Sequence, residues 1–257
     1  MTAAKVVAVV SGGVDSFCSL VYWLSKGYNA VVLHFDYGQK ASRRELEVVR
    51  EIVGELNEIA TRKEWGVVEE LLVLDMSFMK RLWRGTQLVD ETVEIEREYE
   101  RTVVVPIRNI VIAAIATAYA FTLLEQGLYS KAIVVLGSQY DDVKPREDTG
   151  EPRYPDCSPE CFLALESALK ICHFRDKRSI EIWTPSMALL RKSDLLKICY
   201  EMIGDLVYKT WSCYRGLEKH CGSCESCINR RRAFEEAGIP DKTEYLEPHV
   251  SPSRRLE

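Results

Sequence analysis

The strongest constraint on the fold is a set of short apolar runs that show no polar alternation. Lys5–Ser11 (KVVAVVS), Asn29–Phe35 (NAVVLHF) and Lys131–Gly137 (KAIVVLG) are rich in valine and apolar at successive positions. A strand with one wet face alternates in polarity, and a strand covered on both faces does not. Val67–Leu74 and Ile180–Thr184 read as further strands, and Val103–Val105 as a strand end. Segments of helical period lie between these runs. Asp15–Ser25 places Leu20, Val21 and Leu24 on one face and stops at Gly27. Ser42, with Glu45 three residues on, reads as a capping box. It opens a helix whose apolar face is Leu46, Val49, Val53, Leu56 and Ala60. Asn109–Gln126, a segment capped by Ser158 with Pro159 in the first turn, and Ser193–Ile203 ending at Gly204 complete the helices. Strands alternating with helices, joined by right-handed crossovers, predict an α/β fold with a doubly wound parallel sheet. Ligands in such sheets sit at the carboxyl ends of the strands.

A chain of 257 residues suits one large domain with a small appendage. The division expected here is an α/β domain over 1–207 and a cysteine-rich tail over 208–257. The formal net charge of -5 gives no global pull toward nucleic acid, so small molecules are the expected partners. Ile110–Leu124 is the longest apolar run; it is short for a bilayer and is expected as a buried helix. The first strand runs straight into a glycine-rich loop, so no signal peptide is expected and the cytoplasm is the expected compartment. The nine cysteines, an odd number, are then thiols or metal ligands. Asp75–Arg101 is densely charged and reads as an excursion, a lid or a hairpin. Ser138–Cys157 reads as a polar loop.

Two motifs carry chemistry. Ser11-Gly12-Gly13-Val14-Asp15-Ser16 (SGGVDS), preceded by Val10, joins the first strand to the first helix. Paired glycines let the backbone amides turn inward, the helix start adds partial positive charge, and two hydroxyls add donors. Such a loop suits a pyrophosphate group. Asp15 would repel bare phosphate, so its expected role is to hold magnesium that arrives with a nucleotide. The second motif is Cys213, Cys221, Cys224 and Cys227, spaced C-x7-C-x2-C-x2-C. Four thiolates at this spacing close a tetrahedral zinc site, one ion per chain, and leave no position for water, which points to structure rather than catalysis. An iron–sulfur cluster remains the alternative occupant.

SGGVDS resembles the PP-loop of the N-type ATP pyrophosphatases, which split ATP between its α and β phosphates. The tail is more specific. Thr210-Trp211-Ser212-Cys213-Tyr214 before the cysteine cluster and Arg232-Ala233-Phe234-Glu235-Glu236-Ala237-Gly238 after it resemble the 7-cyano-7-deazaguanine synthase (QueC) family. So do HFDYGQ (His34 to Gln39), VPIRN (Val105 to Asn109) and YPDC (Tyr154 to Cys157), in the same order along the chain. The resemblance implies a two-stage reaction. ATP adenylates the carboxylate of 7-carboxy-7-deazaguanine, and ammonia displaces AMP to give an amide. A second ATP activates the amide oxygen, and loss of AMP leaves the nitrile. It also implies a homodimer. No stretch resembles a glutaminase, so ammonia is expected free or from a partner.

Chemistry of this kind needs cations to offset repulsion between carboxylate and triphosphate. Arg108, at a strand end in VPIRN, and Lys192, at a helix start, are the candidates, against the plainer reading of solvated surface charges. Asn109 is a substrate donor or a helix N-cap. Asp156 reads a guanine-like edge or is a turn residue after Pro155. Tyr37 and Gln39 follow the second strand, where PP-loop proteins hold the nucleotide. The chain departs from the family at Ile107, where many members have glycine, and at Lys40-Ala41, where Arg-His is common. Asp75–Arg101 and Asp141–Arg153 are longer than expected. Two other functions fit the residues less fully. One is a divergent PP-loop enzyme acting on tRNA or another acceptor. The other is a non-enzymatic zinc module that binds nucleic acid through Arg230-Arg231-Arg232.

Overall fold

The computed structural model describes residues 4–173 and 179–247. Five strands form one wholly parallel sheet: β1 (Ala4–Val9), β2 (Ala30–Asp36), β3 (Val68–Asp75), β4 (Lys131–Val135) and β5 (Ser179–Trp183). Their spatial order is β3-β2-β1-β4-β5. The chain direction across the sheet therefore reverses between β1 and β4, where crossovers leave on opposite faces and open a crevice. One face carries α1 (Val14–Ser25), α2 (Ser42–Arg62) and α6 (Lys192–Ile203), through Phe17, Leu20, Ile52, Leu56 and Leu196, all fully buried. The other carries α3 (Arg108–Glu125) and α5 (Pro159–Cys172), packed through Ala113, Ala116, Ala120 and Phe162. A single helical turn, α4 (Tyr140–Val143), and the tail helix α7 (Glu225–Ala237) complete the elements used below.

This is the doubly wound α/β fold expected from the apolar runs. Several local readings differ. The capping box at Ser42 does not form: Ala41 is the N-cap, without a side-chain cap. Glu45 instead accepts from Gln39 Nε2 at 2.8 Å, because its side chain turns inward to the crevice. Val103–Val105 is no strand end. Arg101–Val103 is a 3-10 turn, and Val103 and Val105 plug into the core beside α3. Asp75–Arg101 is not a hairpin. It is a wall with a short 3-10 helix at Ser77–Arg81, rooted through Met76, Met79, Trp83, Leu88 and Val89. Lys40 Nζ donates to Val93 O at 2.6 Å, so the departure at that position holds this segment down.

By length and composition alone, Arg101–Glu125 would pass for a membrane span. Here it supplies the core helix α3 against the sheet. The tail shares the main core rather than owning one. Trp211, Cys213, Cys221, Cys224, Cys227 and Phe234 belong to the same apolar cluster as β1 and α1. Residues 248–257 of the expected tail lie outside the described residues.

Candidate active site

The crevice above the carboxyl ends of β1 and β4 is a cavity of about 930 Å³. The SGGVDS loop forms its floor. Gly12 has φ +89, and a Cβ there would lie 3.2 Å from Glu45 O, so only glycine lets the loop sit against α2. Gly137, just past β4, is equally constrained: a Cβ would meet Ser16 N at 2.6 Å. Ser11 and Ser16 hydroxyls lie 3.3 Å apart, and Ser11 Oγ accepts from Gly13 N at 3.4 Å. Gly13 is the N-cap of α1 and provides no side-chain cap, so the first amides of this helix remain available to an anion. Val10, Ser11, Gly13, Val14, Asp15 and Ser16 line the cavity. Gly12 does not; its carbonyl faces away and accepts from Trp211 N at 2.8 Å.

Charge is arranged around this floor. Lys192, the first residue of α6, donates through Nζ to Asp15 Oδ2 at 2.5 Å. Burial pulls this ammonium down, but Asp15 outweighs it, and the Lys192 pKa is raised. Asp15 Oδ1 is buried without a partner. A carboxylate oxygen so placed beside a phosphate loop fits a divalent cation. Asp142, on α4, lies near the same pair; burial first, then Asp15, pushes its carboxyl up to about 7.

Arg108 opens α3 at the far side. Ile107 before it is the N-cap, in the left-handed region at φ 50 and ψ 19. Asn109 is therefore inside the helix, and the N-cap reading of that residue falls. Arg108 Nη1 donates to Tyr37 Oη at 3.1 Å. Burial lowers the Arg108 pKa, but Tyr37, Asp156 and Cys157 more than reverse this, so the guanidinium keeps its charge. Asp156 Oδ2 accepts from Asn109 N at 3.1 Å, and Asn109 Nδ2 donates to Cys157 Sγ at 3.1 Å. Tyr37 and Gln39 are both buried. The Gln39 amide is already engaged by Tyr37 N, Phe35 O and Glu45. It shapes the turn after β2 and has little left for a nucleotide. Glu45 is pushed up to about 7, by burial against the opposing pull of Gln39 and Arg108.

The structure thus brings Asp15, Lys192, Arg108, Asn109, Asp156 and Tyr37 to one cavity. Sequence reasoning missed Glu45, Asp142 and the inner face of α7, where Glu225, Asn229, Arg232 and Glu236 line the cavity. The spacing of those four is one helical stripe, readable in the sequence as a polar face but not as one turned inward.

The four cysteine sulfurs lie within 4.8 Å of one another and are buried. Backbone amides of Arg215 and Cys221 donate to Cys213 Sγ, and those of Ser223 and Cys224 donate to Cys221 Sγ. Amides aimed at sulfur, together with four converging thiols, fit a bound metal ion. None of the four cysteines lines the cavity, and Trp211, two residues before Cys213, ties this region to the phosphate loop through Gly12 O. Arg230-Arg231-Arg232 is not a basic surface patch. Arg230 is fully buried and bonds Thr210, Ser212, Thr243 and Tyr208 O. Arg231 donates to Glu247 O and lies over Tyr245, and Arg232 faces the cavity.

Comparison with known proteins agrees with this architecture. The model of the family described as queuosine biosynthesis protein QueC matches residues 5–238. A 7-cyano-7-deazaguanine synthase of Thermoplasma acidophilum is 32% identical over 248 residues, covering 95% of this chain and 93% of that protein. The synthase of a Marinomonas species is 34% identical over 247 residues, covering 94% and 98%. That of Psychromonas ingrahamii is 32% identical over 246 residues, covering 94% and 97%. Matches of this extent, running through both the phosphate loop and the cysteine cluster, mean that the chain belongs to the QueC family.

Proposed function

We propose that this protein converts 7-carboxy-7-deazaguanine and ammonia to 7-cyano-7-deazaguanine, using ATP and releasing AMP and pyrophosphate. The product is a precursor of queuosine and archaeosine. The carrying observation is that one cavity joins a phosphate-binding loop to a half-buried guanidinium and to carboxylates spaced along its walls. The β and γ phosphates of ATP lie against the amides of Ser11–Ser16, at the head of α1. Lys192 and Arg108 offset the negative charge that builds when the substrate carboxylate meets the α-phosphate. Arg108 and Asn109 hold that carboxylate, and Asp156 offers its free oxygen to a substrate N–H. Tyr37 fixes Arg108 from below, and Gln39 fixes the turn that carries Tyr37. A magnesium ion bound with ATP would be held by Asp15 and would neutralise phosphate charge.

The four cysteines would hold one zinc ion with a structural role, in the cysteine-rich tail 208–257. Visible absorption by the purified protein would favour an iron–sulfur cluster instead. The reading includes a cytoplasmic homodimer without stable nucleic-acid binding, checked by light scattering and by the salt dependence of any RNA affinity. The central test incubates pure protein with ATP, ammonium and 7-carboxy-7-deazaguanine. AMP, pyrophosphate and nitrile are expected by mass spectrometry. ADP and orthophosphate as main products would remove the chain from this reaction class, and a strict need for glutamine would refute the use of free ammonia.

A further inference from the structure

Recognition of the heterocycle has a second carboxylate available to it, on the helix that carries the cysteine cluster. Glu225 is the first residue of α7, directly after Cys224, and only 5% of it is exposed. A carboxylate so deeply placed loses most of its hydration and requires donors in return. Its donors within the protein are distant. Tyr154 Oη lies 3.2 Å from Oε2 and 3.5 Å from Oε1. Asn229 Nδ2 lies 3.5 Å from Oε1, and Arg153 Nη1 lies 3.6 Å from the same oxygen. Good N–H donors approach to about 2.9 Å and O–H donors to about 2.7 Å. Neither oxygen is closely partnered, and both belong to a residue lining the cavity. Asp156 differs in that Asn109 N already occupies one of its oxygens.

We propose that Glu225 is the specificity-determining residue that reads the paired N–H donors of a guanine-like edge, the ring N–H and the exocyclic amine, with its two carboxylate oxygens. The proposal rests on the deazaguanine reading above and adds the residue that selects the base. An edge with two adjacent parallel donors matches a carboxylate whose two oxygens both line the cavity and hold only long contacts, whereas Asp156 already accepts from a backbone amide at the start of α3 through one oxygen. Tyr154 and Tyr214 line the cavity together with Glu225, and aromatic side chains there suit a flat ring. The cysteine cluster gains a further consequence from this arrangement. By fixing the start of α7 at Cys224 and Cys227, it fixes the selecting carboxylate.

The test measures kcat/KM, and heterocycle binding without ATP, for the parent substrate and for its analogue lacking the exocyclic amine. Wild type, Glu225→Gln and Asp156→Asn are compared, each with its metal content and melting temperature. Wild type is expected to prefer the parent by about 10- to 100-fold, the range for a hydrogen bond to a charged group. Glu225→Gln should lose that factor on the parent, change little on the analogue, and so bring the preference near one. Asp156→Asn should keep the preference. The proposal is overturned if wild type does not distinguish the two compounds, if Glu225→Gln keeps the wild-type preference, or if it weakens both compounds equally. If wild type binds the parent with this preference, Glu225→Gln loses it and no nitrile forms, Glu225 is upheld and the reaction is refuted; a wild type that neither prefers the parent nor makes nitrile refutes both.

Discussion

Replacing Lys192 with methionine tests the charge arrangement at the phosphate loop most directly. Lys192 and Asp15 are 2.5 Å apart, with 15% and 22% of their side chains exposed. At an effective dielectric of about 20 the gross attraction is roughly 7 kcal/mol, and desolvation of the two ions takes back several kcal/mol. Removing one partner does not merely delete the net gain. It leaves the Asp15 carboxylate facing Asp142 with no cation, and Asp15 Oδ1 already lacks a partner. Breaking a fully buried pair in this way costs about 3–5 kcal/mol, and the partial exposure here reduces that to about 2–3 kcal/mol. In a chain of this length that corresponds to a fall of about 5–10 °C in melting temperature. The double variant Asp15→Asn/Lys192→Met removes the orphaned charge and should recover to within about 1 kcal/mol of the parent. Denaturant titration of the parent, both single variants and the double variant, without nucleotide, gives the coupling. The reasoning fails if Lys192→Met is as stable as the parent, or if the double variant loses the sum of the single losses.

Three further outcomes are expected. Cys224→Ala should lose bound metal and about 10 °C of melting temperature, since structural metal sites contribute several kcal/mol or more, and limited proteolysis should cut first within 208–238; a metal-free variant as stable as the parent but inactive would mark a catalytic metal. Asp142 has its folded pKa pushed up to about 7, so its stabilising share is complete below about pH 4 and is lost as pH rises through 7. Asp142→Asn should therefore melt higher than the parent at pH 8, by about 2 kcal/mol in stability, and match it near pH 4, whereas an equal offset at both pH values refutes the assignment. Ile107 is 63% exposed at φ 50, a conformation that costs a branched residue about 1–2 kcal/mol. Ile107→Gly should raise stability by about 0.5–1 kcal/mol after the added chain entropy, and a lower urea midpoint would show that the turn is not strained.

The sequence by itself determined the layer order of this protein. Valine runs without alternation, joined by helical segments, leave a parallel sheet with both faces covered as the natural arrangement, and the strands fall within a residue or two of where the runs lie. It also determined the two local motifs, because SGGVDS and the four cysteines each act through close neighbours in the chain. Turn chemistry was less legible. Ser42 and Glu45 have the spacing of a capping box, yet Glu45 gains more by meeting Gln39 in the crevice, a partner set by the turn after β2. Val103–Val105 has strand composition, but Arg101–Val103 turns as a 3-10 helix and Val103 and Val105 are buried in the core beside α3, so it packs as a plug. What only the tertiary structure decided is which side chains converge. Lys192 meets Asp15 across 177 residues and Arg108 meets Tyr37 across 71. The polar stripe of α7, which a helix on its own would turn to water, faces the cavity because α7 packs against α6 and buries Phe234 in the core. Pairings of that kind depend on how the helices cross the sheet, and no local period along the chain encodes them.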